Sequence, residues 1–435
     1  MREMKDSGIE WIGDVPRDWE IVRVKEKYSF NTGFTPDTQQ SNYYNDENGY
    51  EWATITDIVG GKVSTPTKSL VSRSFIEQYH KKIIKPNSLL YSFKLSVGQT
   101  AITDRPMYTN EALASFEQTS ENNISFFKYS SMLIEHNANT NIYGAKILNQ
   151  QLIKNAYVTF PSLQEQRRIA DFLDEKCDEI DSLTKDIQEQ IETLEAYKKS
   201  VITEAVTKGL DPNIEMKDSG IEWIGEVPNK WSLVPFKYLL SERSQKNNPI
   251  ISDERLSLSI GLGVTLYADK TTNLDRFKED VSQYKITHKG DLVMNSMNMI
   301  VGAVGVSPYF GCVSPAYYTF YDNEIDNIYT RFCEYIFLTP SVKSLLYKMG
   351  KGILAIDKGE GQINTCRLKV SKYDLGKLIL PCPPSNEIRN LLNYLDTKCS
   401  EIDAIIQTKK EQLDTLNEYK KSLIYEYVTG KKEVK

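Results

Sequence analysis

Histidine, paired cysteine and long apolar runs are scarce or missing in this sequence of 435 residues. Its three histidines, His80, His136 and His288, lack ligand-like spacing, which argues against a metal site built on histidine. Its six cysteines form no C-x-x-C pair, so we expect reduced thiols. The longest apolar stretch is shorter than the roughly 18 residues that a membrane span needs. The first residues also lack the apolar core of a secretion leader, and we therefore expect a cytoplasmic protein.

Catalytic motifs are missing as well. The amino-methyltransferase motif [DNS]-P-P-[YF] does not occur, and "NPII" at 248–251 lacks its second proline and its aromatic residue. The glycines of "IGLGV" at 260–264 lack the strand and helix of a methyl-donor site, and no G-x-x-x-x-G-K-[ST] loop is present for ATP. A metal-dependent nuclease needs carboxylates that hold the metal, but no [DE]-x-K follows Pro36 and Asp37 at useful range. We expect no catalytic site, metal or cofactor in this chain.

The net charge of −6 seems unfavourable for nucleic-acid binding, but it is unevenly distributed. Residues 21–159 carry a net charge of +2 and residues 233–382 carry +3. Residues 160–209 carry −5 and residues 383–431 carry −1. Because polyanions bind to local patches, the two basic blocks remain compatible with nucleic acid.

A long internal repeat is the main feature that is present. "MKDSGIEWIGDVPRDWE" (4–20) matches "MKDSGIEWIGEVPNKWS" (216–232), including ten consecutive identities. We call these two segments the opening motifs. Downstream, "EKCDEIDSL" (175–183) matches "TKCSEIDAI" (397–405), and "EAYKKSVITEAVT" (195–207) matches "NEYKKSLIYEYVT" (417–429), both at an offset of 222. The kept segments indicate a duplicated scaffold.

Between these ends the likeness almost vanishes. One echo remains, "KPNSLLYSFKLSVGQTAI" (85–102) against "KGDLVMNSMNMIVGAVGV" (289–306), at an ungapped offset of 204. The diverged blocks contain short β-prone runs interrupted by Gly, Asn and Asp, which predicts two compact α+β domains. A duplication whose halves need the same scaffold but different surfaces would have this pattern.

Heptad spacing predicts two long helices, the first over 164–208. Their first seam consists of Leu173, Ile180, Ile187, Leu194 and Val201 in one helix and Leu395, Ile402, Leu416 and Leu423 in the other. Cys177 and Cys399 fall on a second seam, where packing is a better explanation than redox chemistry. The helices follow Pro161–Ser162 and Pro383–Pro384–Ser385, which supply candidate caps. We call the opening motifs and the long helices the frame.

Chain length constrains the arrangement. A helix of about 44 residues is roughly 66 Å long, and the link 209–215 reaches at most about 25 Å. The second domain must therefore begin near the far end of the first helix, and the seams can pack antiparallel. We expect two globular domains joined by two antiparallel coiled-coil helices with pseudo-two-fold symmetry. The predicted segments are 1–20 and 210–232, which contain the opening motifs, and 21–159 and 233–382, which we call the variable blocks. The remaining segments are 160–209 and 383–431, which form the helices, and the tail 432–435.

The motifs "DSGIEWIGEVPxxW", "QRRIADFLDEKCDEID" and "YKKSLI" resemble those of the specificity subunit of Type I restriction–modification systems. The resemblance covers the whole chain and is strongest in the frame. It implies a non-catalytic subunit whose two target-recognition domains each read one half of a split, asymmetric DNA site, separated by the helices. It also implies two modification (methyltransferase) subunits and ATP-dependent restriction subunits as partners. Those partners, and not this chain, would use S-adenosylmethionine, ATP and Mg²⁺.

Candidate DNA contacts come from the strand and loop segments, where Arg, Lys, Asn and Gln could reach base edges. The candidates are Asn42, Tyr43, Trp52, Lys94, Ser96 and Gln99 in the first block, and Asn295, Asn298 and Tyr317 in the second. For each of them, packing or simple solvent exposure is the competing explanation. Trp11 and Trp223 of the opening motifs could anchor the core or contact a partner.

Two other classes of protein remain open at this point. A coiled-coil scaffold that does not touch DNA would explain the helices, but not two domains that diverged on a fixed frame. An enzyme with an unfamiliar site would escape any search for motifs.

Overall fold

The computed structural model describes residues 2–44, 47–94, 96–141, 144–270, 280–323, 326–353 and 367–434. The chain divides into two compact units. The first unit combines Met1–Ile187 with Glu411–Lys435, and the second comprises Gln188–Lys410. Each unit therefore contains one opening motif, one variable block, the start of one long helix and the end of the other.

The first half of the chain contains fifteen of the strands and five of the helices that the structure describes. They are β1 (Met4–Asp6), β2 (Asp14–Pro16), β3 (Glu20–Arg23), α1 (Val24–Lys27), β4 (Phe30–Thr32), β5 (Tyr50–Ala53), β6 (Ile58–Val59), β7 (Lys62–Val63), β8 (Leu70–Val71), α2 (Arg73–Tyr79), β9 (Leu89–Ser92), β10 (Thr100–Ile102), β11 (Tyr108–Thr109), β12 (Leu113–Phe116), α3 (Ile124–Ser130), β13 (Asn139–Thr140), β14 (Lys146–Ile147), α4 (Gln150–Asn155), β15 (Tyr157–Phe160) and α5 (Leu163–Lys208).

The second half repeats this alternation of short strands and short helices, followed by one long helix. Its elements are β16 (Met216–Asp218), β17 (Glu226–Pro228), β18 (Ser232–Pro235), α6 (Phe236–Leu239), β19 (Ser241–Glu242), β20 (Leu256–Ser259), β21 (Gly263–Leu266), β22 (Lys285–Thr287), β23 (Leu292–Asn295), β24 (Val304–Val306), β25 (Gly311–Val313), β26 (Tyr317–Tyr321), α7 (Ile328–Leu338), α8 (Pro340–Met349), β27 (Lys351–Ile353), β28 (Arg367–Lys369), α9 (Lys372–Lys377), β29 (Ile379–Cys382) and α10 (Ser385–Val428).

The two long helices confirm the prediction from heptad spacing. Helix α5 has 46 residues and α10 has 44. Ser162 caps α5 as predicted, because its Oγ accepts the backbone N–H of Glu165 at 3.3 Å. The corresponding prediction for Ser385 is wrong. Ser385 is the first residue of α10, and its Oγ lies 3.2 Å from the hydroxyl of Tyr329.

Most first-seam residues are buried in the described structure. The buried members are Leu173, Ile180, Ile187, Val201, Leu395, Ile402 and Leu423, whereas Leu194 and Leu416 are half-buried. In the first unit, the start of α5 and the end of α10 share a cluster that includes Trp19, Leu173, Cys177 and Leu423. In the second unit, the end of α5 and the start of α10 share another, which includes Val201 and Leu395.

Each variable block is built around a four-stranded antiparallel sheet, which we call the central sheet. Its strand order is β10-β9-β12-β4 in the first unit and β24-β23-β26-β19 in the second. The order of the equivalent strands is the same, although their sequences share almost nothing. The middle strands β9, β12 and β23 are buried along their whole length, and β26 is buried except at its two end residues. The α+β class and the internal repeat are therefore confirmed.

The structure corrects the register of the weak echo. Asn87 and Gly290 precede equivalent strands in left-handed conformations (φ +60° and +93°), at an offset of 203. Gly98 and Gly302 precede the next strands, with φ of +92° and +96°, at an offset of 204. The ungapped alignment is thus wrong by one residue for the first strand, because the intervening loop is one residue longer in the second unit.

The first and last strands of each variable block pair with each other. Strand β3 is antiparallel to β15 in the first unit, and β18 is antiparallel to β29 in the second. The chain therefore enters and leaves each block side by side. We call a block attached in this way a cassette, because its interior can change while both of its connections to the frame stay in place.

Candidate nucleic-acid interface

The opening motif folds into the same hairpin in both units. The carboxylate of Asp6 accepts the N–H of Gly8 at 2.9 Å, and that of Asp218 accepts the N–H of Gly220 at 2.9 Å. Gly8 and Gly220 have φ of +70° and +68°, a conformation that costs glycine little. The sequence that the two opening motifs share therefore specifies the same turn in both units.

A buried tryptophan ties each hairpin to the first turn of a long helix. The Nε1 of Trp19 donates to Glu165 at 2.9 Å, and the Nε1 of Trp231 donates to Glu387 at 2.9 Å. Both indoles are 1% exposed. Arg2 also donates to Glu165 in the first unit, with Nη2 3.1 Å from Oε2. The hairpins therefore anchor the frame.

The repeated EID and YKK motifs bind each other. In the second unit, Lys198 Nζ lies 2.6 Å from a carboxylate oxygen of Asp403. In the first unit, Lys420 Nζ lies 2.6 Å from a carboxylate oxygen of Asp181. A second contact in each unit gives the direction, because Lys409 also bonds Gln190 in the second unit and Phe172 packs on Tyr427 in the first. In each unit, a higher position in α5 therefore faces a lower position in α10. The predicted antiparallel pairing of the seams is confirmed within each unit.

Each variable block docks onto its helix through a tyrosine and an aspartate. Tyr129 donates to Asp174 at 2.5 Å in the first unit, and Tyr335 donates to Asp396 at 2.8 Å in the second. Burial raises the pKa of both phenols, and the hydrogen bond to the aspartate raises it further. Both tyrosines therefore stay protonated and keep donating. This orientation fixes each block relative to its own part of the frame.

Three candidate DNA contacts of the first block lie together in the β9–β10 loop (93–99). Lys94, Ser96 and Gln99 are all exposed. Ser92 shapes the loop, because its hydroxyl donates to the Ser96 carbonyl at 2.5 Å and accepts the N–H of Gln99 at 3.1 Å. Lys94 Nζ lies 3.6 Å from Glu111, so this lysine is partly neutralised. The exposed amide of Gln99 is the best placed of the three for a bidentate base contact.

The candidates of the second block surround the equivalent β23–β24 loop (296–303). Asn298 is exposed, and its carbonyl accepts the N–H groups of Val301 and Ala303, which orders the loop. Asn295 is 8% exposed, and its side-chain oxygen accepts the N–H of Met297 at 3.1 Å. Asn295 therefore shapes the loop, whereas Asn298 faces solvent.

Tyr317 lies opposite Asn295 in the central sheet and is half-buried. Burial raises the pKa of its hydroxyl, which therefore remains a neutral donor.

The remaining candidates lie elsewhere in the first block. Asn42 is exposed, but Tyr43 and Trp52 are 8% and 7% exposed and belong to one aromatic cluster. The ring of Tyr43 packs edge-on against Phe75, and the Nε1 of Trp52 donates to the carbonyl of Phe34 at 3.0 Å. The structure gives Tyr43 and Trp52 packing roles, because their surfaces are already covered by the protein.

Comparison with known proteins agrees with this geometry. Residues 16–193 match the family model described as the Type I restriction modification DNA specificity domain. The MjaX specificity subunit of a type I restriction enzyme from Methanocaldococcus jannaschii is 23% identical, over 98% of this chain and 96% of its own. The MjaVIII specificity subunit from the same organism is 22% identical, over 97% of this chain and 94% of its own. Over nearly its whole length, the chain is therefore similar to curated specificity subunits of type I restriction enzymes.

A solved structure shares the fold of this chain. A chain from work on complex assembly and conformational transition of the type I R-M system aligns with a TM-score of 0.65. It is 14% identical, and the alignment covers 95% of this chain and 98% of that one. The two-unit architecture is thus one that a solved chain also adopts.

Sequence reasoning missed a cleft in the first unit. The cleft has a volume of about 990 Å³ and lies between the variable block and the long helices. Its lining includes the Gly60–Gly61 turn, Lys62, Gln99, Lys128 and Lys421. Lys62 follows a Gly-Gly pair between β-prone runs, which was the one available sign of a turn. The contribution of Lys421, more than 300 residues away, had no local sign.

No group of three or more His, Cys, Asp or Glu side chains in the described part of the chain is arranged to hold a metal. Cys177 and Cys399 are buried free thiols, and burial raises the pKa of both. They pack between helices, and a protonated buried thiol is a poor nucleophile. No helix among the described residues is long and apolar enough to cross a membrane.

Proposed function

We propose that this chain is the non-catalytic DNA-specificity subunit of a Type I restriction–modification complex, with each variable block reading one half of a bipartite, asymmetric site. One observation carries the proposal. Two units with the same frame contacts and the same central sheet present different loops at equivalent positions, the β9–β10 and β23–β24 loops. Two identical readers would instead suit a palindrome.

The frame supports the spacing of the two half-sites. The long helices are continuous and are held within each unit by buried seams and the Lys–Asp pairs. A continuous helix pair resists bending, so the separation between the base-reading loops would be fixed rather than adjustable. The half-sites would then lie at one defined spacing along the duplex.

We further propose that the complex acts in the cytoplasm and contains two modification subunits and, when it restricts DNA, ATP-dependent restriction subunits. The duplicated frame supports two copies of a partner, because similar surfaces recur once in each unit. S-adenosylmethionine, ATP and Mg²⁺ would be used by those partners.

Exchange of one cassette tests the proposal. Residues 21–159 should be replaced by the corresponding block of a relative with a known, different target, joined within the β3–β15 strand pair. The hybrid is assembled with its modification subunits, and methylated sites are mapped across a genome. We expect one half of the recognised sequence to change, while the other half and the spacing persist.

The matched control exchanges residues 233–382, and it should alter the opposite half only. Unchanged methylation in a correctly folded hybrid, or a change of both half-sites at once, would contradict the proposal. A separate salt titration with random duplexes distinguishes a protein scaffold, because affinity that depends on phosphate contacts falls steeply with salt.

A further inference from the structure

The two YKK motifs contain a second lysine whose role the helix pairing leaves unexplained. Lys198 and Lys420 bind aspartates across the helix pair, but the next residues, Lys199 and Lys421, are exposed. Neither forms an ion pair within the described part of the chain. The repeat keeps both lysines, so a function is needed at both positions.

In the second unit, Lys199 lies near another unpaired cation. Lys343 of α8 is half-buried, and its Nζ lies over Gly302, 2.9 Å from where a Cβ would be. Burial lowers the pKa of Lys343, and the charge of Lys199 lowers it further. Among the described residues, no carboxylate pairs with Lys343. Two neighbouring cations without an anion are unfavourable unless a ligand supplies the negative charge.

Gly302 connects this pair of lysines to the base-reading candidates. It closes the β23–β24 loop, which also contains the exposed Asn298. A ligand that touches Lys343 therefore also lies beside that loop.

The first unit differs in the side chain that lies over the equivalent glycine, because Gly98 is covered by Glu135, which pairs with Lys146. Lys421 lines the cleft together with Gly98, the equivalent of Gly302, and with Gln99 of the β9–β10 loop. Lys62 lines the same cleft and is exposed, and among the described residues it has no carboxylate partner. The second lysine of each motif thus lies beside the equivalent loop in both units.

The carboxylates of the cleft are mostly neutralised. Glu135 pairs with Lys146 at 2.9 Å and Asp181 pairs with Lys420, while Lys128 bonds Asp174 at 3.0 Å. The negative charge of the exposed Asp178 offsets part of the positive charge of Lys62 and Lys421 in the cleft. The unpaired groups of the cleft therefore carry a small positive balance.

We propose that Lys199 with Lys343, and Lys421 with Lys62, bind backbone phosphates of the DNA and hold the duplex against the two base-reading loops. This inference rests on the proposed function and adds a task for the frame: Lys199 and Lys421 contribute sequence-independent contacts. Because phosphate contacts fix register without reading bases, a kept frame can supply them for any pair of targets.

Salt dependence of binding is the measurement that tests this inference. The full chain, assembled with its modification subunits, is titrated with its target duplex and with an unrelated duplex from roughly 50 to 200 mM salt. Each phosphate contact contributes about 0.9 to the slope of log affinity against log salt, which is about threefold in affinity over that range. We expect Lys199→Ala and Lys421→Ala each to lower the slope by about that amount on both duplexes, with unchanged sequence preference.

Matched controls separate a local contact from a general loss of charge. Lys410→Ala removes an exposed lysine of the same helix as Lys421 and should leave the slope unchanged. Lys199→Arg and Lys421→Arg should retain the wild-type slope, and Lys343→Ala should lower it as Lys199→Ala does.

The possible outcomes distinguish this inference from the function on which it rests. If the wild-type complex prefers its target but Lys199→Ala and Lys421→Ala keep its slope, the phosphate assignment is wrong and the specificity function stands. An affinity loss confined to the target duplex would also overturn the assignment, since it would indicate base reading. If the wild-type complex binds all duplexes equally, the proposed function itself fails.

Discussion

The indole Nε1 of Trp231 lies 2.9 Å from a carboxylate oxygen of Glu387, 156 residues later in the chain. Trp19 forms the same bond with Glu165. In each unit the bond joins the end of an opening motif to the beginning of a long helix, across an entire variable block. The block can therefore diverge while the frame is held together around it.

Removal of this bond should destabilise the second unit more than the first. Trp231→Phe leaves Glu387 without its indole donor, whereas Glu165 keeps Arg2 after Trp19→Phe. Loss of a hydrogen bond to a carboxylate costs about 1.5–3 kcal/mol when nothing replaces it. We expect Trp231→Phe to lower the free energy of unfolding by about that amount, and Trp19→Phe by less, in denaturant titrations. Equal losses would show that Arg2 does not compensate.

Truncation of the seam should be costly only where a seam residue is buried. Leu173→Ala removes a side chain that is 0% exposed, whereas Leu183→Ala, ten residues later in α5, removes one that is 47% exposed. Core Leu→Ala changes cost about 2–5 kcal/mol, and surface changes typically less than about 0.5 kcal/mol. Thermal unfolding of the two variants measures the difference. Similar melting temperatures would contradict the helix packing described above.

The two exposed loop amides should read opposite half-sites. Gln99→Ala should relax base preference in the half-site of the first block, and Asn298→Ala in the half-site of the second, by about 1–3 kcal/mol at one base pair. Competition binding with every single-base variant of the target measures each effect. Gln118→Ala provides an exposed control of the same residue type in the first block. A uniform loss over all sequences would assign Gln99 or Asn298 to the DNA backbone instead.

A half-buried glutamate, Glu334, should make stability depend on pH near neutrality. Burial raises the pKa of Glu334 to about 7, although the N–H of Val306 donates to its carboxylate at 3.0 Å. The folded state therefore binds this proton more tightly than the unfolded state does. The stabilisation is complete below the unfolded pKa of about 4.3 and is lost as pH rises through about 7, with a slope of at most about 1.4 kcal/mol per pH unit.

Glu334→Gln keeps an acceptor for Val306 and removes the titration. We expect the variant to melt at a higher temperature than the wild type at pH 8, and the gap to close near pH 5. The comparison requires melting curves of both proteins across this range. A parallel pH dependence in the two proteins would assign the effect to other groups.

Local sequence patterns predicted the frame, because residues only a few positions apart indicate its helices and their caps. The seam positions follow from seven-residue spacing, and Ser162 was recognisable as a cap because it precedes the first helical turn. Ser385 lies one residue later in the repeat, because the offset of 222 places Pro384 opposite Ser162, and it therefore begins the helix itself. The position of a cap thus depends on the register of the repeat as well as on residue type.

The candidate DNA contacts were harder to predict, because residue type does not determine exposure. Tyr43 and Trp52 have aromatic rings that a ligand could use, but other parts of the block already contact them. Phe75 packs against the ring of Tyr43, and the carbonyl of Phe34 accepts the Nε1–H of Trp52. Gln99 and Asn298 are exposed in two loops whose equivalence the weak echo indicated and the shared sheet order confirmed.

The sequence by itself determined that the chain is a duplicated frame with two diverged inserts, because identity and periodicity are properties of the chain alone. Only the tertiary structure decided which repeated motifs meet, since Lys198 with Asp403 and Lys420 with Asp181 are more than 200 residues apart. It also decided which loop side chains reach solvent. Which residues pair and which are buried depends on contacts between segments that are far apart in the chain. Such contacts produce no regular spacing in the sequence.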